Sequence, residues 1–214
     1  MLVGERMTKR PIIVNPDTPF DEALQLMRKE RIRRLPVVDK KGKLVGIVTD
    51  KDLLYASPSP ATSLSIHELH YLLSKIKVRE LMTKEVVTVE EDTPLEEAAR
   101  IMADNKIGGL PVMRDDRLVG IITETDLFKI FLEMLGAREK GVRLSMLVPG
   151  QKGVLAQITG EIAQMGGNIV SLGTFLGEDP TNRLVTVKAA DVPKEELTAA
   201  METLGMEMVD VREA

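Results

Sequence analysis

The sequence contains no cysteine and no tryptophan, and it has only 2 tyrosines and 4 phenylalanines among 214 residues. The absence of cysteine excludes disulfides, thiolate nucleophiles and cysteine-ligated zinc. The shortage of aromatic rings argues against a platform on which nucleic-acid bases stack. A formal net charge of −4 at pH 7 is also unlike a nucleic-acid-binding domain, which usually carries a basic face. We therefore expect no nucleic acid among the partners.

Long apolar runs are absent as well. No stretch approaches the roughly 18 apolar residues of a membrane span, and no long apolar stretch follows the first charges, as it would in a signal peptide. We expect no membrane contact and a cytoplasmic location. Because 43% of the residues are hydrophobic, the chain has enough apolar material for a globular core. Its length suits one or two domains.

An internal repeat determines the predicted architecture. Met7-Thr8 recurs as Met82-Thr83 with an offset of 75 residues, whereas Leu44–Ile47 recurs as Leu118–Ile121 with an offset of 74. One residue is therefore lost in a charged turn between these motifs, where length changes are tolerated. We interpret the first two thirds of the chain as a duplication.

Each copy has the pattern strand–helix–strand–strand–helix. Runs of β-branched residues predict a short first strand at 12–14 in one copy and at 86–89 in the other. The Thr-Pro pairs at 18–19 and 93–94 predict a hydroxyl N-cap followed by proline in the first helical turn. A unit of about 60 residues is marginal alone. We therefore expect the two copies to form one domain.

The rest of the chain supplies a connecting segment and a C-terminal domain. Apolar residues at helical spacing predict a connecting helix, in which His67 and His70 lie three residues apart without a third ligand and do not favour a metal site. The C-terminal pattern is βαββαβ, the ferredoxin-like order. The fold class is thus α/β (α+β). The predicted organisation is a first repeat at 1–62, the connecting helix at 63–77, a second repeat at 78–136 and the C-terminal domain at 141–214.

Short motifs give the chain a resemblance to known families. Gly46–Asp52 and Gly120–Asp126 resemble the motif of a tandem pair of cystathionine-β-synthase (CBS) domains, two βαββα repeats related by a pseudo-twofold axis. Gly153-Val154-Leu155 and Gly167-Asn168-Ile169 resemble an ACT domain. The order CBS–CBS–ACT is similar to the acetoin-utilization (AcuB) family. This resemblance implies a regulatory module, in which the CBS pair binds AMP, ADP, ATP or S-adenosylmethionine and the ACT domain binds an amino acid or dimerises.

The resemblance also implies two composite clefts, each with its first strand from one repeat and a Thr-x-x-Asp motif from the other. The carboxylate accepts hydrogen bonds from the ribose hydroxyls, the amides of the helix start favour an anion, and aliphatic walls replace aromatic rings around the purine. The stronger nucleotide site is expected at Thr8, Ile13, Ile32, Arg33, Thr123, Thr125 and Asp126, where Arg33 supplies a guanidinium donor. The weaker site is expected at Thr83, Val87, Ile107, Gly108, Thr49 and Asp52.

Each of these assignments has a structural alternative. The Thr-x-x-Asp motifs can be plain helix caps, and Arg33-Arg34 can be a solvated helix end. In the C-terminal domain, glycines can expose backbone N–H groups to a carboxylate. Alternatively, the glycines only form turns and the sheet serves dimerisation. The expected ACT ligand site consists of Gly150, Gln151, Gly153 and Asn168.

The leading hypothesis is a non-catalytic sensor in which an adenine nucleotide biases the packing of the two repeats. No catalytic cofactor and no metal is expected. The expected partners are an adenine nucleotide, an amino acid and a second copy of the chain in a homodimer. One alternative is an enzyme of acetoin or small-acid metabolism, for which we find no catalytic constellation. The other is a ligand-free dimerisation scaffold.

Overall fold

The computed structural model describes residues 1–56, 75–177 and 180–213. The predicted connecting helix at 63–77, with both histidines, lies almost wholly outside these residues. The chain divides into two units, Met1–Leu127 and Phe128–Ala214.

The described helices are α1 (Val3–Arg6), α2 (Phe20–Glu30), α3 (Asp50–Ala56), α4 (Val78–Leu81), α5 (Leu95–Asn105), α6 (Glu124–Met134), α7 (Val154–Gln164) and α8 (Lys194–Thr203). The described strands are β1 (Thr8–Lys9), β2 (Arg34–Val38), β3 (Leu44–Thr49), β4 (Val89–Glu90), β5 (Gly109–Arg114), β6 (Arg117–Thr123), β7 (Val142–Pro149), β8 (Asn168–Leu176), β9 (Asn182–Ala190) and β10 (Glu207–Glu213).

The two repeats of the N-terminal unit share the same core design. The strands β2 and β3 form an antiparallel hairpin in the first repeat, and β5 and β6 form its counterpart in the second. Leu35 and Leu110 occupy equivalent places in these hairpins and are fully buried. The preceding helices, α2 and α5, bury Met27 and Met102. Burial of such a side chain stabilises the fold by about 1.5–3 kcal/mol, so each repeat owes its fold to one helix covering one hairpin.

The first segment of each repeat pairs with the other repeat. Thr8 pairs with Ile121 through the antiparallel strands β1 and β6, and Thr83 forms the equivalent bridge with Ile47. This exchange joins the repeats into one domain, as the duplication predicts.

A methionine fills the space above a glycine at both crossings. A Cβ atom on Gly120 would lie 2.2 Å from Sδ of Met7, and one on Gly46 would lie 2.5 Å from Sδ of Met82. Real Cβ atoms essentially never approach that closely. Only glycine therefore admits the methionine that locks the two repeats together.

The predicted first strands are mostly wrong. Within 12–14 only Val14 forms a β-bridge, to Val37, and within 86–89 only Val89 belongs to a strand. Ile12 and Val87 are instead 36% and 38% exposed. Their apolar side chains form open walls of the unit, and a β-branched composition alone does not distinguish such a wall from a paired strand.

The predicted hydroxyl N-caps are wrong as well. Pro19 and Pro94 themselves occupy the N-cap positions of α2 and α5, without a side-chain cap hydrogen bond. Thr18 is buried, and its Oγ1 accepts the N–H of Asn15 at 3.2 Å. The hydroxyl thus closes the turn before the proline, and the helix begins one residue later.

The C-terminal unit has the predicted element order βαββαβ. Its antiparallel sheet has the strand order β10-β7-β9-β8. Residues of β7 and β9 share one core with residues of both helices, including the fully buried Leu144, Ile158, Ile162 and Leu197. This is the ferredoxin-like arrangement of two helices against one sheet.

The segment that follows α6 is bonded to the C-terminal sheet. Lys188 is 3% exposed, and its Nζ donates to the carbonyl of Gly136 at 3.1 Å and to that of Glu139. Ser171 Oγ donates to the carbonyl of Leu135 at 3.1 Å. These bonds attach residues 135–139 to the sheet of the C-terminal unit. In the part of the chain that is described, no helix combines the length and apolarity needed to cross a membrane.

Candidate functional site

The first cleft of the N-terminal unit has a volume of about 270 Å³ and takes its walls from both repeats. The segments around Thr8 and Ile32 come from the first repeat, and the end of β6 with the start of α6 comes from the second. The exchange of first segments therefore creates a composite cleft. Its lining consists of Thr8, Arg10, Pro11, Ile12, Arg31, Ile32, Arg33, Arg34, Pro36, Ile121, Thr123, Thr125 and Asp126.

The second cleft is the pseudo-symmetric counterpart and has a volume of about 370 Å³. The segment around Thr83 and the end of α5 come from the second repeat, whereas the end of β3 with the start of α3 comes from the first. Its lining consists of Arg33, Arg34, Ile47, Thr49, Asp50, Lys51, Thr83, Glu85, Val86, Val87, Lys106, Ile107, Gly108, Gly109, Pro111 and Glu124.

The two Thr-x-x-Asp motifs have nearly identical hydrogen bonds. Oδ2 of Asp126 accepts the backbone N–H of Thr123 at 3.0 Å and its hydroxyl at 2.7 Å. Oδ2 of Asp52 accepts the equivalent groups of Thr49, both at 2.8 Å. The motifs are therefore helix caps in which the aspartate reaches back to the threonine. The cap fixes the carboxylate at the helix start, and at Asp126 that carboxylate also lines a cleft.

Charge distinguishes the two clefts. Four arginines face a single acidic residue, Asp126, in the first cleft. The second cleft has four cationic residues too, but three acidic ones accompany them: Asp50, Glu85 and Glu124. A phosphate prefers concentrated positive charge and guanidinium donors. The first cleft is therefore the better electrostatic match for a phosphorylated ligand.

Arg34 extends from the first repeat into the second cleft. Its Nη2 lies 4.0 Å from Oε2 of Glu124, and its side chain is only 18% exposed. Burial lowers the pKa of the Arg34 guanidinium, and the neighbouring charge of Arg33 lowers it further, against the opposing effects of Glu124 and Asp50. Arginine still keeps its charge at neutral pH, so a half-buried cation lies between two acidic helix starts.

Most of the residues predicted for the nucleotide sites line the two clefts, with one exception in each. Ile13 is 46% exposed and lies outside the lining of the first cleft. Neighbouring side chains of an extended segment point to opposite sides, and Ile12 takes the place on the wall. Asp52 is absent from the lining of the second cleft. Its carboxylate lies beside that lining, because Oδ2 of Asp52 accepts the hydroxyl of Thr49 at 2.8 Å and Thr49 lines the cleft.

Sequence reasoning missed part of the cationic lining. Arg31 lies at the C-cap of α2 with a φ of 55°, a left-handed conformation that re-aims the chain toward the first cleft. Lys106 is its counterpart after α5, also with a φ of 55°, and lines the second cleft. The duplication of this cap in the aligned repeats is a signal that could have identified both residues.

The structure separates the residues predicted for the C-terminal ligand site. The N–H groups of Gly150 and Gln151 donate to the carbonyls of Thr181 and Pro149 at 2.7 and 2.8 Å, so neither amide is available for a carboxylate. Asn168 follows α7, whose 11 residues place it roughly 16 Å farther along. Gly153 has a φ of 90° and serves as the N-cap of α7. The loop is a turn, and the four residues do not form one site.

A cavity that the sequence did not predict lies at the opposite end of the C-terminal sheet. It has a volume of about 400 Å³ and includes Lys140, Asp191 and Glu213 in its lining. Asp191 has a φ of 62°, which marks a tight turn after β9. In the described ranges, no group of three histidine or acidic residues is arranged to hold a metal ion.

Comparison with known proteins identifies the family of the two repeats. The CBS domain model matches residues 3–59 and 78–133, which together make up more than half of the chain. This chain belongs to the CBS-domain family. The two matches show that the duplicated part of the chain is a tandem CBS pair.

Three solved structures resemble this CBS pair. An acetoin utilization protein (AcuB) from Vibrio cholerae is 34% identical, with a TM-score of 0.54 over 65% of this chain and 96% of its own. The CBS pair of protein MJ0100, in complex with 5′-methylthioadenosine and S-adenosyl-L-methionine, is 33% identical, with a TM-score of 0.52 over 65% and 98%. CBSX2 from Arabidopsis thaliana, in complex with AMP, is 37% identical, with a TM-score of 0.51 over 61% and 96%. Two of these three structures thus contain adenosine ligands.

Proposed function

We propose that the chain is a non-catalytic regulatory sensor that binds an adenine nucleotide in the first cleft of its CBS pair. The observation that carries this proposal is the convergence of Asp126, three threonines and four arginines on one cleft. The AMP complex of CBSX2 supports the choice of ligand. A phosphorylated adenosine (AMP, ADP or ATP) suits this cleft better than S-adenosylmethionine, which carries no phosphate for the arginines to bind.

In this proposal each part of the nucleotide has its own partners. The carboxylate of Asp126 accepts hydrogen bonds from the ribose hydroxyls, and Thr8, Thr123 and Thr125 add hydroxyl groups. The arginines bind the phosphate, with Arg33 as the guanidinium donor predicted from the sequence. The purine lies between aliphatic side chains, of which Ile12 and Ile32 line the cleft. No step of this recognition requires an aromatic ring.

The test is a titration of the full chain with AMP by isothermal calorimetry, comparing Asp126→Asn with Asp52→Asn. A lost hydrogen bond to a charged group costs about 1.5–3 kcal/mol, so we expect Asp126→Asn to weaken binding in the first cleft roughly 10- to 150-fold. Asp52→Asn is the matched control, because it changes the equivalent helix cap at the second cleft and leaves the lining of the first cleft intact. Loss of affinity in Asp52→Asn with none in Asp126→Asn would contradict the assignment.

We further propose that the C-terminal unit is an ACT domain that associates two chains into a homodimer. Its βαββαβ order supports the ACT identity, and the occupied amides of Gly150 and Gln151 favour association over amino-acid binding at that loop. Similarity to AcuB supports a role in acetoin utilization. The test is the molar mass of the full chain by light scattering, together with thermal shifts against an amino-acid panel. A monomer stabilised by one amino acid would overturn the preference for association.

A further inference from the structure

One pair of arginines serves both clefts. Among the described residues, Arg33 and Arg34 are the two that line the first and the second cleft alike. The other cationic residues belong to one cleft each: Arg10 and Arg31 to the first, and Lys51 and Lys106 to the second. The pseudo-symmetry of the two clefts is therefore broken at the point where they share a wall.

The asymmetry originates in the sequence of the two repeats. Arg34 pairs with Thr49 across the first hairpin, and Gly109 pairs with Thr123 at the equivalent place in the second. The second repeat thus has glycines where the first has arginines. A Cβ on Gly108 would lie 1.9 Å from Nη2 of Arg34. The Arg34 guanidinium therefore occupies space that a second arginine pair, at positions 108 and 109, would need. One arginine pair thus takes the place of two.

We propose that the two clefts compete for Arg34, so that a phosphorylated ligand in the first cleft lowers the affinity of the second cleft for another phosphate. This inference rests on the proposed function. A guanidinium binds one phosphate in a bidentate manner, and the Arg34 side chain has a short route to either cleft because it lies in their shared wall. An uncharged nucleoside has no phosphate for Arg34 to bind, so its binding to one cleft does not change the affinity of the other.

Glu124 holds Arg34 on the side of the second cleft while neither cleft contains a phosphate. Oε2 of Glu124 lies 4.0 Å from Nη2 of Arg34. Glu124 is the first residue of α6 and precedes Asp126 by two positions. A phosphate in the first cleft therefore attracts the guanidinium away from Glu124. The second cleft then keeps Arg33, Lys51 and Lys106 against three acidic residues, and its attraction for a second phosphate falls.

The experiment measures AMP affinity of the second cleft with and without competition from the first. Asp126→Asn weakens AMP binding in the first cleft, and we expect the second cleft to bind AMP about tenfold more tightly in this variant than in the second binding step of the unmodified chain. That factor lies within the usual range of coupling between sites. With adenosine as the probe, the two values should agree within about twofold.

Arg34→Gln distinguishes competition from direct repulsion between two bound phosphates. We expect the tenfold gain to vanish in the Arg34→Gln, Asp126→Asn double variant relative to Arg34→Gln alone, whereas repulsion alone would leave it in place. Arg10→Gln and Lys106→Gln are matched controls, because each should weaken only its own cleft and preserve the coupling. Retained adenosine binding shows that each variant is folded.

The outcomes separate this inference from the function on which it depends. Absence of AMP binding to the unmodified chain would overturn the proposed function and the coupling together. AMP binding to two independent clefts, or a coupling that survives Arg34→Gln, would overturn the coupling alone and leave the nucleotide sensor intact.

Discussion

The contact between Gly120 and Met7 predicts a measurable effect of a single methyl group. A Cβ at Gly120 would lie 2.2 Å from Sδ and 2.9 Å from Cγ of Met7, whereas ordinary contacts between heavy atoms lie at about 3.5–4.0 Å. The methionine must therefore move by more than about 1 Å. Overpacking of a filled core costs about 1–3 kcal/mol. Alanine recovers about 0.5–1 kcal/mol by restricting the unfolded chain, so we expect Gly120→Ala to lose up to about 2.5 kcal/mol, with a midpoint of roughly 1 kcal/mol.

The assay is urea denaturation of the full chain followed by circular dichroism, with Gly160→Ala as the matched control. A Cβ on Gly160 would meet nothing within 4 Å, and glycine within a helix is destabilising by about 1 kcal/mol relative to alanine. The same substitution should therefore stabilise α7 there. AMP affinity of the first cleft should fall in Gly120→Ala only, because Met7 precedes the cleft residue Thr8.

A double-mutant cycle tests the mechanism. Met7→Ala alone leaves a cavity that costs about 2–5 kcal/mol. Because the smaller side chain also removes the clash, the double variant should be more stable than the sum of the single effects by about 1 kcal/mol or more. Additive effects, or a Gly120→Ala variant as stable as the unmodified chain, would refute the interlocking contact.

Three further predictions concern charged and polar groups outside the clefts. Lys188→Met leaves the carbonyls after α6 without their buried donor and should cost about 1–3 kcal/mol, measured as a lower Tm; a higher Tm would show that burial of the ammonium outweighs its bonds. Backbone N–H groups of the turn after Asp39, foremost that of Lys43, donate hydrogen bonds to the Asp39 carboxylate and lower its pKa. The carboxylate therefore stabilises the fold above its unfolded pKa of about 3.9, and this contribution is lost as the pH falls through the lower pKa of the folded state. An NMR titration midpoint at or above about 3.9 would contradict this. Ser145 and Thr186 share a buried 2.9 Å hydroxyl bond, so Ser145→Ala should destabilise by about 1–3 kcal/mol, whereas adding Thr186→Val should recover much of that loss in a urea titration.

The repeat made much of the fold predictable. The pattern of the strand pair β2 and β3 occurs twice in the sequence. A pattern that recurs with the same spacing has the same physical cause in both copies. The βαββαβ order of the C-terminal unit followed from its glycine turns and apolar periodicity. These features depend on interactions between residues that are close together in the sequence, so the sequence alone predicts them.

The first strands were not predictable for the opposite reason. Ile12 and Val87 have the composition of buried strand residues, but they line open clefts. Whether a β-branched side chain faces a partner strand or a cavity depends on the other repeat. Composition does not contain that information.

The role of Arg34 required the three-dimensional structure. The sequence shows arginines in one repeat and glycines in the other, which suggests only that the two clefts differ in charge. The close approach of the guanidinium to Gly108 shows that the missing side chains create the space into which the arginine of the other repeat extends. Asp52 is the converse case, because the motif that brings Asp126 into the lining of the first cleft brings Thr49, but not Asp52, into the lining of the second.

The exchange of first segments imposes an order of events on the newly made chain. Thr8 pairs with Ile121, more than one hundred residues later. At about 5–20 residues per second, the ribosome needs roughly 6 to 20 seconds to make that partner. Until then the first segment has no strand to join, although the hairpin of the first repeat is already complete. The first cleft therefore forms only after the second repeat has been made. A nucleotide that binds there, as we propose, stabilises the completed CBS pair and cannot stabilise the first repeat alone.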